Sequence, residues 1–326
     1  MSRRIGIIGA GAVARLHATA IERHPDTVLA AVCDLDPDRA AVVAGPAAAT
    51  VFTNHEQMLA EAGLDAVIVN TPHATHLPIT LAALERRIAA LVEKPLAITA
   101  SDCRQLIDAS VLTGTPVVAG HLQRFMPEVV AAQRAIDEGR IGAMLRADER
   151  RAVDYRPGTR PAWFHDPAIS GGGAMINVGG HCVDRTLALT GARVLAVRAT
   201  LLCRWGSPVE TDAHYDLDLV GGGNATITLR SLPPRQHNEV DVVGELGTIT
   251  VTTTEGTVLR TPDDTVVLHD PAPSDTQTAF EDQWANFVAV LGGAESIVPL
   301  DHALHVVDVI TAGYRSAAAG GASVRL

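Results

Sequence analysis

The stretch RRIGIIGAGAVARLHATAIERH, residues 3–24, reads as a β-strand, a glycine turn and a helix in immediate succession. The unit recurs downstream. VLAAVCDLD (28–36) is a strand that stays apolar until Asp34, and DAVIVNTP (65–72) is another, closed by a Thr-Pro turn. THLPITLAALERR (75–87) has helical spacing, and AALVEKPL (89–96), ASDCRQLIDASVLTG (100–114) and TPVVAG (115–120) follow as strand, helix and strand. Strands apolar on both faces, alternating with helices, predict a parallel sheet covered on both sides. Right-handed crossovers then wind residues 1–120 into a doubly wound α/β domain.

Beyond residue 120 the pattern changes. PEVVAAQRAIDEGRIG (127–142) reads as a helix ending at Gly139, and AMLRADERRAVD (143–154) alternates like a half-exposed strand. A loop of Pro, Gly and Trp (155–173) leads into an apolar helix that runs to Gly191. Four or five strand-like runs follow, at 193–205, 212–220, 224–232, 237–243 and 247–253, with turns such as VGGGN and GELG between them. Such spacing predicts antiparallel hairpins. Helices near 277–291 and 299–319 close an α+β domain over residues 121–326, built on a large, mostly antiparallel sheet.

Composition agrees with two packed domains: 326 residues, 47% of them hydrophobic. A net charge of −11 without a basic block argues against nucleic acid and anionic membranes as partners. No apolar run has the length of a membrane span. MSRR before apolar residues resembles a secretion signal, but cleavage there would remove the first strand, so a cytoplasmic location is expected. Cys33, Cys103, Cys182 and Cys203 show no metal-like or C-x-x-C spacing and read as reduced, mostly packed thiols.

Two features carry chemistry. Gly9-Ala10-Gly11-Ala12-Val13-Ala14 fits G-x-G-x-x-[GA] after a strand and at a helix start, where backbone N–H groups can cradle a pyrophosphate. Asp34, at the end of the second strand, is placed to bind ribose hydroxyls and to repel a 2′-phosphate, which favours NAD and leaves NADP as the alternative. The plainer reading of Asp34 is a cap for the helix beginning DPDRA. The second feature is Lys94, the only lysine among 26 basic residues. Arginine keeps its proton; a partly buried lysine can release one. Lys94 lies at the carboxyl end of a strand, which in such sheets borders the ligand crevice, with Glu93 beside it to orient it. A chance surface lysine is the plainer reading.

Several segments together resemble the glucose–fructose oxidoreductase, inositol dehydrogenase and rhizopine-catabolism (Gfo/Idh/MocA) family. VNTPHATHLPITLAALERRIAALVEKPLAIT (69–99) is similar to its T-P-x-x-x-H…E-K-P-L stretch, and GHLQRFMPEV (120–129) to its R-F-x-P segment. GGGAMINVGGHCVDRTLALTG (171–191) is similar to its G-G-G-x-x-x-[DN]-x-G-x-H-x-x-D signature, and LDHALHVVDVITAGYRSAAAG (300–320) to its last helix. The resemblance implies a Rossmann domain, a large sheet domain and nicotinamide-dependent hydride transfer. It puts Lys94 at the active-site lysine, His181 at the proton-exchanging histidine and Thr71, Pro72 and His76 along the cofactor. Asn177 stands where many members carry aspartate, so it can orient a substrate but not relay a proton.

The residues support that chemistry independently. A histidine suits proton exchange near neutrality, and an ammonium stabilises alkoxide character. On a helix Asn177 and His181 share a face, and the glycines before them leave room for the cofactor. His181 alone would read as a core histidine. Arg124 is a substrate contact or a salt-bridge partner, and Tyr155, Trp163 and His165 are scarce ring residues on a loop suited to a sugar. His73/His76 and His302/His305 have spacing without a third ligand, so no metal is expected. The expected activity is NAD-dependent oxidation of a secondary alcohol of a sugar, cyclitol or nucleotide-sugar. Alternatives are NADPH-dependent reduction of a keto-sugar or imine, and a regulator that binds NAD and sugar without turnover. A homodimer or homotetramer is expected through an open sheet face.

Overall fold

The computed structural model describes residues 2–45, 49–231 and 237–326. The predicted run 224–232 ends at a residue outside that set. The chain divides into two compact units, residues 1–122 with 276–304, and residues 123–275 with 305–326.

In the first unit the chain runs β1 (Arg3–Ile8), α1 (Ala14–Arg23), β2 (Thr27–Cys33), α2 (Pro37–Ala44), β3 (Thr50–Phe52), α3 (His55–Glu61), β4 (Ala66–Val69), α4 (His76–Glu85), β5 (Ala89–Glu93), α5 (Ala100–Thr113) and β6 (Val117–Gly120). The strands lie in the order β3-β2-β1-β4-β5-β6, every neighbouring pair parallel. β4 is buried along its whole length and β5 over its first four residues, as two-sided coverage requires. The order reverses between β1 and β4, and ligands of such sheets bind beyond the strand ends at that reversal.

The second unit contains α6 (Pro127–Asp137), β7 (Met144–Val153), α7 (Pro167–Ser170) and α8 (Gly180–Thr190), then β8 (Val194–Leu202), β9 (Asp212–Leu219), β10 (Asn224–Ser231), β11 (His237–Gly244), β12 (Thr248–Thr252), β13 (Gly256–Arg260) and β14 (Thr265–His269). Helices α9 (Asp275–Leu291) and α10 (Leu300–Ala318) and the short β15 (Val324–Arg325) end the chain. The sheet has nine strands, β14-β13-β12-β11-β7-β10-β9-β8-β15, more than the 143–154 strand and the four or five later runs expected. All pairs are antiparallel except β10 with β7. The unforeseen β13 and β14 are five-residue strands at one end of the sheet, β14 its edge, too short for a clear alternation. One sheet face packs Tyr215, Leu217, Ile227 and Leu229 with α8 and α10 residues such as Val183 and Ile310. A buried Arg185–Glu149 pair crosses from α8 to β7, with Asn238 accepting from Arg185 at 2.7 Å.

A continuous second domain over 121–326 does not describe the return of residues 276–304 to the first unit. The reason is packing. Phe280, Trp284 and Phe287 of α9 join the core formed by Ile5, Ile21 and Leu29. Trp284 donates to Thr27 Oγ1 at 3.1 Å, and Arg23 pairs with Glu281 at 2.5 Å. Truncating a buried aromatic costs about 3–5 kcal/mol. Trp284→Ala is therefore expected to lower the unfolding free energy measured in urea by that scale. A loss under about 1 kcal/mol would contradict the docking of α9.

Candidate active site

In the first unit the site begins where β1 stops. Gly9 has φ +97°, and a Cβ there would lie 2.4 Å from the Asn70 carbonyl oxygen, so only glycine fits. Gly11 is different: a Cβ would meet nothing closer than Asn70 Nδ2 at 3.7 Å. Protein packing does not demand a glycine there, which leaves room for a ligand. Ala14, fully buried, lets α1 sit close to the sheet. The N-cap of α1 is Val13, which supplies no side-chain cap, whereas Asp36, Asn54 and Thr99 cap α2, α3 and α5. An uncapped helix start with no acid in its first turn suits an anion. Ala12, exposed beside Val13, lies on the same turn.

Asp34 is not the cap of α2; Asp36 is, accepting from the Asp38 and Arg39 N–H groups. Asp34 instead reaches back to the glycine turn, where Oδ2 accepts from the Ala10 N–H at 2.8 Å. Oδ1 accepts from the Asp36 N–H at 2.9 Å and from Arg39 Nη2 at 2.7 Å. Arg39 is a residue that sequence reasoning missed.

The β4 and β5 ends are joined by His76. Its Nδ1 lies 2.8 Å from the Pro95 carbonyl oxygen and its Nε2 2.9 Å from that of Thr71. Burial lowers its pKa, against the opposing pull of those carbonyls. Fully buried and engaged at both nitrogens, His76 braces the Thr71-Pro72 turn against the Lys94-Pro95 segment. Glu93 accepts from the Lys94 N–H at 3.2 Å and lies 3.0 Å from His17 Nε2. Burial alone would raise its pKa, but the His17 hydrogen bond and the charges of His17 and Lys94 hold it below the ordinary value. Lys94 itself is half-buried, directly after β5.

In the second unit the expected single helix is interrupted. Met175–Gly179 form a π-helical turn before α8 starts. Such a wide turn shifts the residue spacing that a regular helix would impose, so the face shared by Asn177 and His181 is not that of a uniform helix. Asn177, 3% exposed, donates to the Tyr155 hydroxyl and to the Gly173 carbonyl, each at 2.8 Å. His181 is half-buried in the first turn of α8.

Packing by the protein itself accounts for two of the glycines before them. A Cβ on Gly172 would meet the Tyr314 hydroxyl at 2.2 Å, and one on Gly173 would meet the Glu210 carbonyl oxygen at 2.1 Å. The protein's own groups fill that space. Glu210 went unnoticed in the sequence, where nothing sets it apart. Its carboxylate accepts from the Gly173 and Met175 N–H groups at 2.9 Å each and from the Tyr314 hydroxyl at 2.8 Å. Burial pushes its pKa above the usual carboxylate range, opposed by those donors.

The aromatic loop divides. Tyr155 is not an exposed substrate contact: it is fully buried, its hydroxyl donates to the Phe164 carbonyl at 3.1 Å, and it reaches the site only through Asn177. Trp163 stacks on Phe164, ring centres 4.1 Å apart. His165 packs on Tyr155 at 5.2 Å and has two buried ring nitrogens without a hydrogen-bond partner among the described residues. Burial lowers its pKa, which keeps it neutral near pH 7. Arg124 pairs with buried Asp184 at 3.3 Å, the plainer of its two readings.

Comparison with known proteins agrees with these features. The model of the GFO/IDH/MocA oxidoreductase family, with an NAD-binding Rossmann fold, matches residues 3–121, and that of the family's C-terminal domain matches residues 129–250. The chain is similar to inositol 2-dehydrogenase of Rubrobacter xylanophilus, 29% identical over 78% of this chain and 73% of that protein. It is 37% identical to inositol 2-dehydrogenase 4 of Saccharopolyspora erythraea, over 44% of this chain and 43% of that protein, less than half of its length. The crystal structure of GenD2 from gentamicin A biosynthesis, in complex with NAD, is similar with TM-score 0.89 at 25% identity, over 100% of this chain and 97% of that one.

Replacing Glu210 by Gln sets an amide nitrogen against at least one backbone N–H or the Tyr314 hydroxyl. Stability is expected to fall by about 1–3 kcal/mol, the cost of unmatched buried polar groups. Urea titration checks this, and a variant as stable as the parent would show that Glu210 does not anchor residues 173–175.

Proposed function

We propose that this chain, which belongs to the GFO/IDH/MocA oxidoreductase family, oxidises a secondary alcohol of a polyhydroxylated ring, a cyclitol or a sugar, with NAD as acceptor. The observation that carries the reading is the convergence of four strand ends at the sheet reversal. The Gly9–Ala14 turn, Asp34, Thr71-Pro72 and Lys94 follow β1, β2, β4 and β5 respectively. NAD supplies the hydride acceptor when bound, its pyrophosphate at the α1 start and its ribose at Asp34. Lys94 holds the substrate hydroxyl and stabilises the negative charge that develops on its oxygen. His181 takes the hydroxyl proton as the carbon loses hydride. Asn177, held by Tyr155, orients the substrate. The relatives named inositol 2-dehydrogenase support the cyclitol class.

A panel of inositols, sugars and sugar nucleotides tests this, with NADH absorbance as the readout. Lys94→Arg keeps the charge but adds bulk and cannot release a proton. Turnover is expected to fall about 10²–10⁴-fold, the span of one acid–base or charge-stabilising group, while NAD binding stays within about twofold. Turnover preserved in Lys94→Arg would remove the lysine from the mechanism; NAD binding with no turnover of any polyol would favour the regulator.

The Arg39–Asp34 pair bears on cofactor choice. Asp34 repels a 2′-phosphate, yet it holds a guanidinium that would bind one. Asp34→Ser is expected to cut kcat/KM for NAD at least tenfold, about 1.4 kcal/mol, and to raise the NADP/NAD ratio. Adding Arg39→Ala should cancel that rise. An unchanged ratio in the single variant would reject Asp34 as the discriminator.

A further inference from the structure

Glu128, His269 and Asp275 come together from distant parts of the sequence. Each offers one donor atom, and the three atoms lie within 4.8 Å of one another. Glu128 is in the first turn of α6, His269 ends β14 and Asp275 opens α9. All three belong to the second unit. His269 Nε2 lies 2.8 Å from Asp275 Oδ2, which also accepts from the Ala272 N–H at 2.8 Å.

Glu128 is the unusual member. Its residue is 4% exposed, and Oε2 is buried without a hydrogen-bond partner among the described residues. Such an oxygen is costly to leave unpaired, more so when charged. Burial pushes the carboxyl above its ordinary pKa, its own backbone N–H opposes this, and the Asp275 charge raises it further. The Arg185 guanidinium and His269 pull the other way by charge, but neither hydrogen-bonds Oε2.

The surrounding backbone is fixed. The Thr257 hydroxyl donates to the Glu128 carbonyl at 2.6 Å. Gly256, at φ +77°, passes so near His269 that a Cβ would lie 2.0 Å from its carbonyl oxygen. The donors therefore stand on restrained elements, not on free loops.

We propose that Glu128, His269 and Asp275 form a divalent-metal site of the zinc class, which clasps α6, the edge strand β14 and the start of α9. One imidazole with two carboxylates suits Zn²⁺, with water completing a tetrahedron; hard ions such as Mg²⁺ and Ca²⁺ prefer oxygen donors alone. Zn–donor bonds of about 2.0–2.2 Å require the three atoms to close to about 3.4 Å apart. Side-chain rotation supplies this movement, and the imidazole loses its hydrogen bond to Asp275 in exchange for the metal.

The test uses the full-length, tag-free chain, stripped with a chelator and titrated calorimetrically with ZnCl₂, MgCl₂ and CaCl₂ at pH 7.5. One equivalent of Zn²⁺ is expected, bound at least 100-fold tighter than Mg²⁺ or Ca²⁺. Glu128→Gln should weaken Zn²⁺ at least tenfold, and His269→Ala should abolish stoichiometric binding. Each variant is first shown to bind NAD normally and to keep the parent's circular dichroism; Asp275→Asn, which keeps the Ala272 contact, replaces any that does not. No saturable Zn²⁺ binding to the parent overturns the site, as does binding that survives unchanged in the folded variants.

Discussion

The closest constraint in the first unit is backbone against backbone, at Gly9 and Asn70. The two lie so near that no side chain could stand between them. Asn70 exploits the proximity, donating from its N–H to Ile8 at 2.8 Å and from its side chain to the Gly9 carbonyl at 3.0 Å. Gly9 donates to Cys33 at 2.7 Å, and Ala10 donates to Asp34. The ends of β1, β2 and β4 are thereby one network. His76 carries it from β4 to the segment after β5, and Glu93 carries it through His17 back to α1. The ring of contacts closes on the helix whose first turn follows the glycines. Lys94 is placed by that ring: the residue before it and the residue after it are both held.

The second unit reaches similar rigidity by other means. A buried carboxylate, Glu210, does for residues 173–175 what Asn70 does for Gly9. Buried backbone N–H groups need acceptors, and a segment that leaves a loop for a π turn exposes several at once. Glu210 gathers two of them. The cost is a desolvated charge, offset by three donors. Asn177 emerges from this segment with its amide fixed by Tyr155 and Gly173, so its orientation is determined before any substrate arrives.

The strand–turn–helix order of the first unit was legible because each strand is buried on both faces, and because Gly9 admits no other residue. Lys94 stood out by its scarcity and by its place at a strand end. What stayed hidden has a physical reason in each case. β13 and the edge strand β14 have five residues each, and so short an alternation resembles a turn. The return of α9 depends on Trp284 finding Thr27, a pairing across most of the chain that no local pattern records. Glu210 and Arg39 act through partners distant in sequence or on a neighbouring turn. The bracing that the buried His76 and Tyr155 supply leaves no local mark in the sequence. Scarce polar side chains cluster near sites, and some of them are buried to support the ones that remain accessible.

Buried carboxylates make the same distinction quantitative. Glu93 has His17 and a backbone N–H; Glu149 has Arg185; Asp184 has Arg124; Glu210 has three donors. Each is matched by a positive group or by enough N–H and O–H donors to repay its lost water. Glu128 Oε2 has no such donor: the Arg185 guanidinium, which is paired with Glu149, and an imidazole already hydrogen-bonded to Asp275 act on the carboxyl by charge without a hydrogen bond to that oxygen, and a second carboxylate stands beside it. Beside those matched carboxylates, a carboxylate oxygen left buried without a hydrogen-bond partner against a histidine and an aspartate is the arrangement that a small divalent cation completes.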